Sequence, residues 1–154
     1  MLTIRPYYPD DLEDVVQLWY RTWHHTFPSV QHPQLYPEWK IRFQENLAVR
    51  GDIWVAEVGN YIVGFLVLFK EEQYLDQLFV DAAYQNQGIG SALLNKAKEI
   101  CTQGLTLHTL QQNTQAYTFY KKHGFKEGRV STNKVNRQPN IEFRWLPSIP
   151  PRLP

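Results

Sequence analysis

The first third of the chain combines one short apolar run with two stretches whose apolar residues recur at helical spacing. Residues 2–5 are typical of a strand, which Pro6 ends. After Asp10 or Asp11, either of which can cap a helix, one apolar stripe follows at steps of three and four. Its members are Leu12, Val15, Val16, Trp19 and Trp23. A second helix is predicted over residues 34–49, with Leu35, Trp39, Phe43 and Leu47 on one face.

The pattern changes to that of strands after Gly51. Residues 53–58 and 62–69 are rich in β-branched and aromatic side chains, and the Gly59-Asn60 turn between them predicts a hairpin. A third such strand covers 74–80. Helical spacing returns over 88–102 and 115–123, with a strand at 106–110 between them and a strand pair at 125–131 and 141–146. This order predicts an α/β (α+β) domain over 1–146, followed by a Pro-rich tail at 147–154.

Composition and charge narrow the class of protein. The 154 residues are 43% hydrophobic, which suits one domain with a packed core. Sixteen Lys and Arg against 15 Asp and Glu give a net charge of +1, so we expect neither a nucleic-acid partner nor a membrane partner. There is no apolar run of membrane-spanning length and no signal-peptide pattern at the N-terminus. We therefore expect a cytoplasmic protein.

The cysteine and histidine content bears on metal and thiol chemistry. The single cysteine, Cys101, cannot form an internal disulfide, and its place late in an apolar helix face favours a structural role over a nucleophile. His24, His25, His32 and His123 show no metal-ligand spacing with Asp, Glu or Cys. We expect no metal.

The turn after the strand at 74–80 is the most informative part of the sequence. It contains Gly88 and Gly90, and a helix starts there at once. Free backbone N–H groups at a helix start suit a phosphate or pyrophosphate, and glycine lets the backbone approach the ligand closely. A helix start that is merely packed closely through its glycines is the alternative interpretation. The turn has neither the Gly-Lys-Ser/Thr of a Walker loop nor the third glycine of a dinucleotide fingerprint.

Two linked motifs resemble those of the GNAT family of N-acetyltransferases. Gln85 to Gly90 is similar to the family's Q/R-x-x-G-x-G/A motif, and Asn113 to Phe125 is similar to its N-x-x-A-x-x-F-Y-x-x-x-G-F motif. The resemblance implies the GNAT fold: a central, mostly antiparallel mixed sheet of six to seven strands, splayed between its fourth and fifth strands and flanked by about four helices. It also implies acetyl-CoA as the acyl donor and an amine as the acceptor.

The resemblance also implies which residues bind the cofactor. Backbone groups of the strand would contact the pantetheine arm, the amides from Asn86 to Ser91 would hold the pyrophosphate, and Asn113 would bond or steer the pantetheine. The full set is Leu78, Phe79, Val80, Gln85, Asn86, Gln87, Gly88, Ile89, Gly90, Ser91, Asn113 and Tyr120. Many relatives carry Arg or Lys where this loop has Gln-Asn-Gln, so we expect Lys121, Lys122 or Lys126 to reach the phosphates and the affinity to be ordinary.

Tyr120 is the candidate general acid, because phenol and thiol pKa values are close enough for a proton to pass to the leaving thiolate. The candidate general base is Asp76 or His108, each of which interrupts an apolar strand. A chain of waters could replace both. Strand alternation predicts that Tyr74 and Asp76 share a face with Leu78.

The acceptor amine is left open between a small amine, a protein lysine and a protein N-terminus. By resemblance it would lie against Trp23, His24, Phe27, Trp39 and Phe43, with Tyr74 and Asp76 across from them. Transfer would be direct, through a ternary complex without a covalent enzyme intermediate, in a monomer or homodimer. The alternatives are an acyl-CoA-binding sensor or scaffold without turnover, and a protein that binds a nucleotide phosphate.

Overall fold

The computed structural model describes residues 1–148, so residues 149–154 of the predicted Pro-rich tail lie outside the described part. Four α-helices of seven residues or more occupy it: α1 (Leu12–Thr26), α2 (Tyr36–Arg42), α3 (Ile89–Ile100) and α4 (Thr114–Lys122). The helical path of α2 continues through a π-helical stretch, Phe43–Leu47, and a last turn, Ala48–Arg50. The strands are β1 (Leu2–Pro6), β2 (Asp52–Val58), β3 (Tyr61–Phe69), β4 (Tyr74–Val80), β5 (Leu105–Leu110), β6 (Lys126–Thr132) and β7 (Pro139–Trp145).

The strands form one mixed sheet in the order β1-β2-β3-β4-β5-β7-β6. Every neighbouring pair is antiparallel except β4 and β5, which run parallel and pair only at Tyr74 and Thr106 within the described residues. Beyond that point the two strands separate. The predicted fold class, a mostly antiparallel mixed sheet splayed between its fourth and fifth strands, is confirmed.

The centre of the sheet is buried on both faces, which explains the nearly continuous apolar run of β3. Leu66 and Leu68 face the core under α3 and α4, whereas Phe65 and Val67 face the core under α1 and α2. The second core is aromatic, and it includes Trp19, Trp39 and Phe43. Phe43 is fully buried there, 5.9 Å from the Trp19 ring centroid, because it packs between α2 and the sheet.

A β-bulge at Asp76 interrupts the alternation of β4. Gln77 pairs with Val67, whereas Leu75 pairs with the next residue of β3, so Asp76 is the extra residue. Consequently Tyr74 packs against the aromatic core and Leu78 against the opposite core. The prediction that Tyr74 and Asp76 share a face with Leu78 is therefore wrong, because a bulge shifts the face of every residue that follows it.

Candidate active site

A cavity of about 940 Å³ lies where β4 and β5 separate. Leu78, Phe79 and Val80 line it. Each of them pairs with β3 on one side, and none pairs with β5 on the other. The second half of β4 therefore presents a free strand edge to the cavity, which can bond an extended amide-containing ligand as an added strand would.

The loop into α3 is a cradle of free amides. Within residues 1–148, no backbone N–H from Asn86 to Ser91 donates a hydrogen bond to another protein group, and the first helical bond runs from Ala92 N to Gly88 O at 3.0 Å. Gly88 takes φ +80° at the N-cap, a conformation that glycine adopts without strain. Six free donors at the positive end of a twelve-residue helix can bind an anion.

Most of the predicted loop residues line the cavity, but Gln87 does not. Of the three lysines proposed for the phosphates, the cavity is lined by Lys122 and not by Lys121 or Lys126. Lys121 instead lies 3.7 Å from Glu127. Backbone amides and one lysine are thus the positive groups that the loop region offers to an anion.

His123 and Ser91 meet beside this cradle, and sequence reasoning did not connect them. Ser91 Oγ lies 3.0 Å from His123 Nε2. Burial, together with the charges of Lys98 and Lys122, lowers the pKa of His123, so its ring is neutral at pH 7. Its bond to Ser91 therefore positions the first turn of α3 without adding charge.

Asn113 caps α4, since its Oδ1 accepts a hydrogen bond from Ala116 N at 3.1 Å. The residue also lines the cavity. The capping bond occupies the side-chain oxygen, so its Nδ2 group is the part that can donate to a ligand.

Tyr120 lies on α4 among aromatic rings and is only 7% exposed. Its ring centroid is 5.3 Å from that of Phe125 and 5.8 Å from that of Phe143. The side chain lines the cavity, and its hydroxyl has no hydrogen-bond partner among the described residues. Burial raises the pKa of Tyr120 above the usual value, so the phenol keeps its proton at neutral pH.

His108 belongs to a chain of three polar residues that spans β4, β5 and β7. Tyr74 Oη lies 2.8 Å from His108 Nδ1, and His108 Nε2 lies 3.8 Å from Glu142 Oε2. Arg144 Nε donates to Glu142 Oε1 at 2.8 Å and holds the carboxylate in place. Burial, together with the charge of Asp76, raises the pKa of Tyr74 to about 12. The arrangement can take a proton at His108, either directly or through Tyr74, which passes its own proton to His108 as it accepts another, and Glu142 can balance the resulting imidazolium.

Asp76 also lines the cavity, half-buried at its bulge. Burial raises the pKa of this carboxyl group, while the hydrogen bond from Gln77 Nε2 at 3.1 Å and the charges of Arg42 and Arg50 act in the opposite direction. A carboxylate with a raised pKa is a stronger proton acceptor than an ordinary aspartate.

The predicted acceptor wall is only partly assembled. Trp23, Phe27 and Trp39 line the cavity, whereas His24 and Phe43 do not. His24 Nδ1 lies 2.7 Å from the carbonyl oxygen of Tyr20, one turn back on the same helix.

Further lining residues on the acceptor side were missed by the sequence analysis, and they include Thr22, His32 and Arg42. Helical spacing alone could have placed Thr22 beside Trp19 and Trp23. His32 lies in a loop whose path the sequence does not predict.

Membrane-spanning helices and metal-ligand clusters are both absent from residues 1–148. None of their helices is long and apolar enough to cross a membrane. They also contain no group of three or more His, Cys, Asp or Glu side chains arranged to hold a metal ion.

Comparison with known proteins defines the family. Residues 49–127 match the model of the Acetyltransferase (GNAT) domain. The chain therefore belongs to the GNAT acetyltransferase family, and it is an acyltransferase. It is 33% identical over 142 residues to the peptidyl-lysine N-acetyltransferase YjaB of Salmonella typhimurium, covering 89% of this chain and 92% of that relative.

Solved structures agree on the fold. The solution structure of apo-form YjaB from Escherichia coli superposes with a TM-score of 0.74 at 25% identity, over 96% of this chain and 99% of that one. The PaiA N-acetyltransferase from Thermoplasma acidophilum, solved in complex with coenzyme A, gives a TM-score of 0.76 at 21% identity, over 95% and 99% of the two chains. Because the identity to the PaiA enzyme is 21%, that likeness shows the fold alone.

Proposed function

We propose that this chain is an N-acetyltransferase that moves the acetyl group of acetyl-CoA directly to a primary amine within a ternary complex, and that residues 1–146 form its one catalytic domain. The observation that carries the proposal is that one cavity is lined both by five of the six residues with free amides from Asn86 to Ser91 and by Tyr120, whose hydroxyl has no hydrogen-bond partner among the described residues. An anion cradle joined to a proton donor through a gap between strands suits a long ligand with a phosphate end and a reactive end.

The residues present fit coenzyme A along its length. The amides at the start of α3, with Lys122 nearby, suit the pyrophosphate. The free edge of β4 from Leu78 to Val80 suits the amides of the pantetheine arm, and Asn113 Nδ2 can donate to one of them. Acetyl-CoA supplies the acetyl group as a thioester, which is activated for attack by an amine.

Tyr120 acts as the general acid in this proposal. The amine nitrogen forms the new C–N bond as the C–S bond breaks, and the products are an N-acetylated amine and the free thiol of coenzyme A. Tyr120 Oη donates its proton to the leaving sulfur. Burial raises the pKa of Tyr120, which makes its proton harder to release. The same burial also makes the leaving thiolate more basic, so the two effects partly cancel.

The proton of the acceptor ammonium has two candidate destinations. One is Tyr74 Oη, which can pass a proton to His108 Nδ1 while Glu142 stabilises the charged ring. The other is the carboxylate of Asp76. The first is favoured, because an imidazole with a carboxylate partner is a good base near neutral pH and the hydrogen bond is already formed.

A covalent enzyme intermediate is disfavoured by the position of Cys101. This is the single cysteine of the chain, it is 4% exposed, and it packs in the core under α3. Burial raises the pKa of its thiol, which keeps it protonated and poorly nucleophilic.

The acceptor class remains a primary amine: a small amine, a protein lysine or a protein N-terminus. The YjaB relatives are named for peptidyl-lysine, and the mostly aromatic acceptor side of this cavity is compatible with an aliphatic or aromatic side chain next to the amine.

The deciding experiment follows thiol release from acetyl-CoA against a panel of amines and peptides, with both substrates varied. Direct transfer predicts double-reciprocal lines that intersect, whereas a covalent intermediate predicts parallel lines. Coenzyme A binding without thiol release on the whole panel would indicate a sensor or scaffold instead. Binding of ATP or NAD in preference to coenzyme A would contradict the cofactor assignment.

A further inference from the structure

The acceptor side of the cavity contains an arginine that has no ion-pair or hydrogen-bond partner among the described residues. Arg42, the last residue of α2, is half-buried and lines the cavity. Its guanidinium lies over the Trp19 ring, with Cζ 5.4 Å from the centroid. Among residues 1–148 it makes neither an ion pair nor a hydrogen bond through its side chain, unlike Arg5 and Arg21, which both pair with aspartates. A half-buried guanidinium without a partner has five donors available for a ligand.

Asp76 places the opposite charge in the same part of the cavity. The charge of Arg42 acts on this carboxyl group and opposes the rise in its pKa, so the two groups are within electrostatic reach of each other. No guanidinium nitrogen of Arg42 lies within 4.0 Å of a carboxylate oxygen of Asp76, so the two groups form no ion pair with each other. Two opposite charges that face one cavity without neutralising each other complement a ligand that also carries both charges.

This charged pair is distinct from the anion cradle. Asp76 precedes Val80 by four residues, which corresponds to about 13 Å of extended strand, and the cradle follows Val80 further along the chain. Arg42 lies over Trp19, on the side of the cavity formed by α1 and α2, and is therefore placed for the acceptor and not for the pyrophosphate.

We infer that the acceptor is a small amine that also carries a carboxylate, of the amino-acid type. This inference rests on the proposed function. Arg42 binds the carboxylate through two parallel N–H groups. Asp76 faces the ammonium before its proton is removed. Trp23, Trp39 and His32 surround the side chain of the acceptor. The bonds formed and broken are those of the proposed transfer, with the acceptor amine as the nucleophile.

The test compares amino acids with their own carboxamides, which keep the amine and the side chain but lose the negative charge. Thiol release from acetyl-CoA is measured for each pair with the wild-type protein and with Arg42→Gln and Arg42→Lys. We expect wild-type kcat/KM to be about tenfold or more higher for the acids, as the loss of a charge-assisted hydrogen bond predicts. Arg42→Gln should raise KM for the acids by about the same factor and KM for the carboxamides much less, and Arg42→Lys should restore part of the loss.

A matched variant controls for loss of the fold. Arg129→Gln removes an exposed arginine of β6 and should change KM for neither the acids nor the carboxamides. Coenzyme A affinity, measured by calorimetry, should be the same in all three variants.

Each of the other outcomes contradicts either this inference alone or the proposed function as well. Equal turnover of acids and carboxamides, or turnover of a lysine peptide blocked at both ends at the rate of free amino acids, overturns this inference and leaves the proposed function standing. An equal loss for acids and carboxamides in Arg42→Gln, with the fold intact, does the same. Thiol release with no amine at all overturns both.

Discussion

Tyr74 Oη and His108 Nδ1 share a hydrogen bond of 2.8 Å that joins β4 to β5 at the point where the two strands begin to separate. The bond closes one end of the gap between the strands with a group that can carry a proton. Tyr120, which can supply the other proton of the transfer, is on α4 and lines the same cavity. The base and the acid of the proposed reaction therefore belong to separate elements, and each can be altered without the other.

His108→Gln tests the first route for the proton. Glutamine keeps a hydrogen-bonding group for Tyr74 but cannot take up a proton, so we expect kcat to fall about 100-fold or more, the usual contribution of a general base. The KM for acetyl-CoA should change little. An unchanged kcat would remove His108 from the reaction.

Glu142→Gln separates a positioning role from a direct one. Glu142 lies 3.8 Å from His108 Nε2 and can balance the charge of the imidazolium that forms when the proton arrives. Its neutral replacement should lower kcat less than His108→Gln does, and it should add no further loss in a protein that already carries His108→Gln. A glutamate that acts only on the fold would lower kcat by the same factor in both backgrounds.

Asp76→Asn tests the second route and has a stability readout of its own. Burial raises the pKa of Asp76 in the folded state, so the ionised form costs folding free energy. The folded state does not bear this cost below the unfolded pKa of Asp76, where the group is protonated, and stability is lost as pH rises through the raised, folded pKa. Asp76→Asn should therefore raise the melting temperature at pH 7, and the gain should disappear in acid. If Asp76 is the general base, the kcat of Asp76→Asn falls as well. If the variant is more stable and its kcat is normal, Asp76 serves only to bind the acceptor amine.

Tyr120→Phe should lower kcat about 100-fold or more, because it removes the proton donor for the thiolate. The hydroxyl has no protein partner, so its loss breaks no hydrogen bond among the described residues, and coenzyme A affinity should hold. Tyr61→Phe is the matched control, since Tyr61 is 72% exposed at the start of β3. Equal activity of Tyr120→Phe and wild type would rule out the acid role.

The interaction of Arg5 with Asp11 is expected to stabilise the start of the fold. Arg5 Nη1 and Nη2 bond both oxygens of Asp11 at 2.9 and 3.0 Å, and Asp11 Oδ2 also accepts from Tyr8 N at 2.8 Å. The bond to Arg5 lowers the pKa of Asp11 below 3.8. Its contribution is present above that value and is lost as pH falls through the lowered pKa. Asp11→Asn should reduce the free energy of unfolding by about 1–2 kcal/mol at pH 7, and the deficit should shrink on acidification in urea titrations.

The elements that the sequence predicted correctly are those with a repeating pattern. The stripe from Leu12 to Trp23 predicted α1, and the turn at Gly88 predicted the start of α3. The motif from Asn113 to Phe125 predicted α4. Local periodicity and local turn chemistry are visible in one sequence because they depend on near neighbours.

Features that depend on pairing between distant segments were not predicted. The bulge at Asp76 depends on the register of β4 against β3, and the contact of His108 with Glu142 on the register of β5 against β7. Arg42 lines the cavity because α2 packs beside α1, which helical spacing alone does not establish. The acceptor side of the site was therefore described less completely than the cofactor side.

Gly88→Ala tests the anion cradle, and the chain contains its own control. Gly88 at φ +80° and Gly59 at φ +61° both have nothing within 4 Å of an added Cβ, so alanine at either site meets backbone strain and no clash. Each substitution should cost about 1–2 kcal/mol of stability. Only Gly88→Ala should also weaken coenzyme A binding, about tenfold or more by calorimetry, because relief of the strain turns the amides of the loop away from the phosphates. Equal affinity in the two variants would mean that the free amides before Ser91 do not bind the pyrophosphate.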